Sequence, residues 1–443
     1  MSGKVRGTTR RGVIGAAALA VAGPAILRQA FGQEPAADAV TRALPRTHAG
    51  RVLNITWGST PAYAQISAYC GRFAGATGIE LKFVPLQQAD RYQKMILDAT
   101  SNTNSFDVSI TAYQWKDEVA PYFADLSKMD QEVKGVPPLD LADYPQRALD
   151  AYSRVGDRLV TMPLLGDASI LVWNKKALAE AGLPPDATPA TWEAVHAAGA
   201  KLVGGGRYGF NMPAGKSIQT ACVWITLFHA FGGRYFDEKG APTFGSEAGI
   251  RAIRFMAERL GKVSPPGNLT WDFPEMINSV ATGQAAQGYM WGGGLSTLFD
   301  PGKSAIAKDI GFSPTPEAVL LGGWGLGINA KGRNVEAAKL FVGWLTSPAV
   351  AREVALVSGS PCRTSTFTDP TVVAKYPGVP ALLQGMQGKV ATYPPIKEAE
   401  QVNIIVYDQV NAACAGTKTP EQAAADMQQG VATFLRRRGY NRG

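Results

Sequence analysis

Apolar and polar positions alternate in two rhythms from Arg51 onward, and together they set out a mixed α/β chain. Val52-Leu53-Asn54-Ile55-Thr56 has strand composition, and residues 62–74 place Ile66, Tyr69, Cys70 and Phe73 at helical spacing. Ile79 to Val84 predicts a second strand, 89–100 a second helix and Phe106 to Thr111 a third strand. This succession means βαβ units and a mostly parallel sheet. A second region follows the same style. Ser169 to Asn174 predicts a strand, and Thr191 caps a helix from Trp192 to Leu202 with Glu193 in its first turn. Helices are predicted over 217–231, 247–260 and 272–282, and a strand over 286–291. The run Val319 to Ile328 reads as a strand broken by glycines, followed by two helices, the second opened by Ser347-Pro348. Two long helices, 397–414 and 420–437, end the chain, the last opened by the capping box Thr419-Pro420-Glu421-Gln422.

The first 50 residues lie outside this pattern. Thr9-Arg10-Arg11-Gly12 leads into an Ala-rich apolar stretch, then Arg28 and Ala30-Phe31-Gly32, the three-part layout of an export signal. The Arg pair with apolar Val13 and Ile14 after it resembles a twin-arginine signal. Cleavage is expected after Gly32, and residues 33–50, rich in Ala, Pro and Thr, are expected to form a flexible leader. The apolar run Val13 to Leu27 is shorter than the about 20 residues of a transmembrane helix. A mature protein in the periplasm follows.

The 443 residues carry a formal net charge of +8, which raises the question of nucleic acid. Five of the positive charges lie in residues 1–32 and four in the last eight, leaving the body between at −1. A nucleic-acid binder needs its basic residues along one face of the folded body, so this class is set aside. Cys70, Cys222, Cys362 and Cys414 have neither metal nor redox spacing. Buried free thiols are expected, with Cys362–Cys414 the candidate bridge in an oxidising compartment.

Motifs of catalysis fail on their spacing. Gly215-Lys216-Ser217 and Gly302-Lys303-Ser304 end like phosphate loops, but Phe210 and Thr297 stand where the leading glycine is required. Gly325-Leu326-Gly327-Ile328-Asn329-Ala330 fits a loose dinucleotide fingerprint from inside a strand-like run, with the next helix beginning only near Asn334. There is no Gly-x-Ser-x-Gly elbow, and His48, His196 and His229 lack paired spacing. No catalytic residue, metal or cofactor is expected.

The nine tryptophans are more informative. Trp57 follows the first predicted strand, Tyr113 and Trp115 the third, Trp291 the strand at 286–291, and Trp324 lies in Gly322-Gly323-Trp324-Gly325. Rings beside glycines at the carboxyl ends of strands suit a ligand crevice of an open α/β sheet, and their faces suit the C–H faces of sugars.

The chain also resembles a known family. Arg158-Leu159-Val160-Thr161-Met162-Pro163, Leu171-Val172-Trp173-Asn174-Lys175, Ala181-Gly182-Leu183 and Ala190-Thr191-Trp192-Glu193 are similar, in that order, to the extracellular solute-binding proteins of bacterial ABC importers. That family contains the maltose-binding and related sugar-binding proteins. Phe106-Asp107-Val108, Gly283-Gln284-Ala285-Ala286 and Pro361-Cys362-Arg363 extend the match, which runs from about Val52 to about residue 430.

The resemblance implies a periplasmic-binding-protein fold of type II, two α/β lobes around a cleft. Lobe one would take 50–165 and 320–362, and lobe two 166–318 and 363–443. Crossings would fall near Met162–Gly166, Pro316–Leu321 and Ser360–Arg363. It further implies a monomeric, non-enzymatic binder that passes a sugar or polyol to a membrane permease. An anionic sugar derivative is the alternative, with Arg363 and Arg91 as its cations, and an exported carbohydrate-active enzyme a further one. By position, Trp57, Tyr113, Gln114 and Gln88 would line lobe one. Asp167 would accept bonds from ligand hydroxyls or form a hinge salt bridge. Trp291, Gly292 and Gly293 would face the cleft from lobe two, Gly323 and Trp324 from the returning strand. Arg363 would bind hydroxyls or an anionic group, or lock the hinge.

Overall fold

The computed structural model describes residues 36–440; the expected export signal, with its cleavage site, lies outside the described residues. Its largest sheet is built from β1 (Val52–Gly58), β2 (Glu80–Leu86) and β3 (Val108–Ala112), parallel in the order β2-β1-β3. A short hairpin, β4 (Arg154–Val155) with β5 (Arg158–Leu159), precedes β6 (Met162–Ala168). A three-stranded antiparallel sheet follows from β7 (Ile170–Asn174), flanked by β8 (Gln287–Met290) and β9 (Ile310–Pro314). The long β10 (Val319–Ile328) returns antiparallel to both β3 and β6, and β11 (Val390–Ala391) pairs parallel to its start. Each sheet has its own apolar core, one around Ile55, Ile110, Phe341 and Trp344, the other around Val172, Trp224, Phe228 and Met427.

Local signals in the sequence explain many of these elements. The helix Trp192–Leu202 starts where Thr191 Oγ1 accepts from the Ala194 amide at 3.1 Å, and the capping box at Thr419 and Gln422 is formed in both directions. Two expected helices differ in detail. That over 62–74 is broken at Cys70 into Pro61–Tyr69 and Gly71–Thr77, and that over 247–260 opens into π-helical turns at Phe255–Leu260. Cys70, Cys222, Cys362 and Cys414 are free thiols, so the candidate Cys362–Cys414 bridge is not formed.

The chain passes between the sheets at three neighbouring places. Ser169 alone separates β6 from β7; its hydroxyl lies 2.7 Å from that of Thr315, beside the return between β9 and β10, and accepts from the Leu320 amide at 2.9 Å. At the third, Ser360–Arg363, backbone runs so close to β6 that a Cβ on Gly166 would stand 2.5 Å from the Pro361 carbonyl oxygen. Among the described residues no single helix is long and apolar enough to cross a membrane.

The expectation of a flexible leader is corrected from Ala36 onward. Residues Ala36–Arg42 form a helix, with Ala37 and Thr41 buried. Thr41 Oγ1 accepts from the buried Trp344 indole N–H at 3.0 Å and donates to the Ala37 carbonyl at 2.6 Å, and Asp38 pairs with Arg72. The Ala and Thr content that reads as linker supplies small side chains for close docking and a hydroxyl for a buried indole. Thr41→Val keeps the shape and leaves that N–H without an acceptor. It is expected to lower the unfolding free energy by about 1–2 kcal/mol in urea denaturation, and an unchanged midpoint would contradict the docked helix.

Candidate functional site

The cleft is built from the carboxyl ends of strands. β3 runs into the 3₁₀ turn Tyr113–Trp115, β8 into Trp291 and the turn Gly292–Gly294, and β10 carries Trp324 between Ala112 on β3 and Leu165 on β6. The helix Gln88–Ser101 brings Arg91 over this floor, and Ala399–Cys414 brings Glu400 and Gln401 from the opposite lobe.

Arg91 is 3 % exposed. Its guanidinium carbon sits 4.2 Å from the ring centre of Trp324 and 6.0 Å from that of Tyr63, and Trp324 meets Trp115 edge-on at 5.7 Å. Its Nε is buried without a hydrogen-bond partner, as is the Tyr63 hydroxyl, and among the described residues no acid pairs with it. Burial pushes the Arg91 pKa down and that of Tyr63 up.

Asp167, at the end of β6, is 8 % exposed. Its Oδ1 accepts from the Gly292 amide at 2.6 Å and from the Ala168 amide at 3.0 Å, while Oδ2 has only a long contact, 3.4 Å, from the Gly293 amide. Desolvation pushes its pKa up to about 7 against the pull of these amides, and no cation is paired with it among the described residues. Glu400 repeats the theme: its carboxylate accepts from the Trp115 indole at 2.8 Å and from the Gln114 side chain, and burial nevertheless raises its pKa. Three charged groups, Arg91, Asp167 and Glu400, thus surround the cleft without an ion pair among the described residues.

The expected residues divide into three groups. Asp167 meets Gly292 and Gly293, Gln114 bonds to Glu400, and Trp324 lies under Arg91; the Trp291 indole donates to Gln219 Oε1 at 2.8 Å and its ring covers Gly322. Gln88 stands half-buried at the start of its helix, one turn before Arg91. Tyr113 and Gly323 lie where β6 and β10 meet. The Tyr113 hydroxyl donates to the Leu321 carbonyl, its ring lies 5.4 Å from Tyr152 and 5.0 Å from Tyr393, and Gly323 at φ +150° lets β10 approach Leu165. Two expectations are corrected. Trp57 is in the core, 1 % exposed, its N–H donated to the Tyr63 carbonyl at 2.9 Å; Tyr63 is the residue in front of it. Arg363 is fully buried away from the cleft. Its Nε and Nη2 donate to the Thr346 carbonyl at 2.9 and 2.7 Å, Nη2 also to Leu139 at 2.9 Å, and Nη1 to Asp140 at 3.1 Å, with Asp143 at 3.5 Å and the Tyr144 ring at 4.3 Å. It locks the third crossing and has no face left for a solute.

Reading by strand ends overlooked Tyr63, Gln219, Glu400 and Asn403 and weighed Arg91 only for an anionic ligand. A signal existed for two of them. Arg91 shares the buried stripe of its helix with Met95 and Asp98, and Asn403 shares that of Val402, Val406 and Val410. A cation and an amide at apolar phase mark buried polar work. Asn403 is fully buried with both amide atoms unpartnered, one turn after Glu400.

Residues 57–352 match the family model of the bacterial extracellular solute-binding proteins. A relative from Sinorhizobium fredii, described as a probable amino-acid ABC transporter periplasmic-binding protein, is 50 % identical over 96 % of this chain and 97 % of its own length. The mannitol-binding protein of Pseudomonas aeruginosa is 27 % identical over 82 % of this chain and 88 % of its own. Among solved structures, a solute-binding protein from Agrobacterium radiobacter in complex with ribitol superimposes with a TM-score of 0.80 at 25 % identity, covering 87 % of this chain and 99 % of that one. One from Agrobacterium vitis with bound D-mannitol does so with 0.80 at 23 %, covering 88 % and 100 %, which shows the shared two-lobed fold.

Two tests follow from the buried charges. Arg363→Ala removes a cation from four carbonyl bonds and is expected to cost about 3 kcal/mol of stability in denaturant unfolding, whereas a solute contact at that position would instead show as lost affinity in a stable protein. Asp167 keeps its proton in the folded, solute-free protein up to about pH 7, whereas its ordinary pKa is 3.8. The native state therefore binds more protons than the unfolded chain between those values, and stability falls as pH rises through that window, by up to about 1.4 kcal/mol per unit. Asp167→Asn is expected to flatten this slope in urea titrations between roughly pH 4.5 and 7. An identical slope in the variant would assign it elsewhere.

Proposed function

The chain belongs to the bacterial extracellular solute-binding proteins, and we propose that it captures a neutral polyol or sugar between its lobes for delivery to an ABC permease. The observation that carries this reading is the set of three charged groups enclosed in the cleft without ion pairs, Arg91, Asp167 and Glu400. A hydroxyl both donates and accepts, so vicinal hydroxyls satisfy a guanidinium and two carboxylates together. Charged hydrogen bonds of this kind discriminate sharply, because a buried partner left unmade costs about 1–3 kcal/mol. The rings of Trp324 and Trp291 offer apolar faces to the carbon skeleton. The relatives and structures described with mannitol and ribitol support the same class.

An anionic derivative is disfavoured because Arg363, one of its two expected cations, is taken up by backbone carbonyls. The protein works as a periplasmic monomer with lobes divided at 165/166, 318–320 and 362/363, and does no chemistry on the solute. Closure is the signal, since a ligand shifts the equilibrium only by binding the closed form more tightly.

One observation favours a second reading, an amino acid. The relative at 50 % identity is described as a probable amino-acid binder, and Arg91 and Asp167 both act electrostatically on Tyr63, a cation for a carboxylate and an acid for an ammonium group.

A thermal-shift and calorimetric panel of pentitols, hexitols, monosaccharides, sugar acids and amino acids separates them. A neutral polyol or sugar is expected to raise the melting midpoint, and Arg91→Met or Asp167→Asn to weaken it at least about tenfold. A response confined to amino acids would establish the second reading, and one confined to sugar acids would overturn the charge argument.

A further inference from the structure

The family fold holds solutes of very different length, since its solved members include complexes with ribitol and with maltose. Resting on the reading above, we infer that this cleft is walled at one end by Trp115 and Glu400 and takes a single polyol or monosaccharide unit, excluding oligosaccharides.

The wall is a set of hydrogen bonds that cross from lobe to lobe. Trp115, on the turn after β3, is wholly buried and donates its indole N–H to Glu400 at the start of the Ala399–Cys414 helix, 2.8 Å away. The next residue, Gln401, donates its amide to the Tyr92 hydroxyl, which in turn donates to Glu118 at 2.9 Å. Tyr92 follows Arg91 on the same helix and stacks obliquely on Trp115 at 5.2 Å. Two adjacent residues of one lobe thus grip two adjacent aromatic side chains of the other beside the unpaired guanidinium. Toward the hinge, Tyr113 packs on Tyr393 at 5.0 Å and donates to the Leu321 carbonyl, closing the floor.

Between these boundaries the polar groups are out of reach of solvent. Arg91 is 3 % exposed, Gln114 6 % and Asp167 8 %, while Arg91 Nε and the Tyr63 hydroxyl lack partners. Groups that are buried and unsatisfied behind a lobe-to-lobe wall fit a solute that is enclosed whole. A longer chain would have to leave through the wall, stripping the half-buried Glu400 carboxylate of its indole donor and displacing a tryptophan ring. That is rejection by clash and by an unpaired charge, both strong discriminators.

The experiment is calorimetry of the intact protein with ribitol, mannitol, glucose, maltose and maltotriose, repeated on Trp115→Ala and, as a variant that keeps the ring and the volume, Glu400→Gln. The wild type is expected to bind its best single unit at least about 100-fold more tightly than either oligosaccharide. Trp115→Ala is expected to narrow that ratio at least about tenfold, and Glu400→Gln to narrow it in the same direction by less. Wild-type affinity for maltose or maltotriose equal to that for any single unit would overturn the inference while leaving the polyol or sugar reading intact. An unchanged ratio in both variants, each folded by circular dichroism, would overturn the assignment of the wall. Binding of none of the five, with amino acids bound instead, would overturn the carbohydrate reading and the inference with it.

Discussion

A charge moved out of water must be compensated, and where the protein itself does not compensate it, something else has to. Arg91 is the case on which this structure turns. It lies on the buried stripe of its helix, held against the face of Trp324, with no acid paired to it among the described residues and a buried Nε that bonds to nothing. Asp167 and Glu400 are its counterparts, carboxylates that burial pushes toward the neutral form and that backbone amides, an indole and the Gln114 side chain relieve in part. A fold organised for stability alone would pair these charges with one another.

Everything around the cleft holds them apart. Asp167 caps the Gly292–Gly294 turn, Tyr63 and Trp324 flank the guanidinium, and Trp115 occupies one oxygen of Glu400. The backbone beneath them is closely packed. Ser169 ties two crossings, Gly166 and Gly323 admit backbone where a side chain would collide, and Arg363 clamps the third crossing through carbonyl oxygens.

The fold was largely legible in the sequence because it rests on local signals. Apolar period set the strands and helices, Thr191 and Thr419 marked helix starts, and ordered motifs from Arg158 to Glu193 pointed to the family. Of the expected site residues, those at strand ends, such as Trp291, Gly292 and Trp324, are the ones that lie beside Asp167, Gln219 or Arg91. Trp57 and Arg363 misled for the same physical reason: a side chain's type states what it can bond, and its neighbours in space decide what it does bond. Trp57 lies behind Tyr63, and Arg363 meets carbonyls more than 200 residues away in the chain, contacts that no local pattern encodes. The Ala-rich segment at 36–42 was mistaken for linker because its burial depends on Trp344, 303 positions from Thr41. Arg91 and Asn403 left a readable trace as polar residues in apolar register.

The most direct test of this account is a crystal structure of the complex with whichever solute stabilises the protein most. The account predicts a solute enclosed between the lobes, with its oxygens within hydrogen-bond distance of the Arg91 guanidinium and of the Asp167 and Glu400 carboxyl groups. A solute bound elsewhere, or Arg91 turned to pair with a protein carboxylate while the solute sits in the cleft, would contradict it.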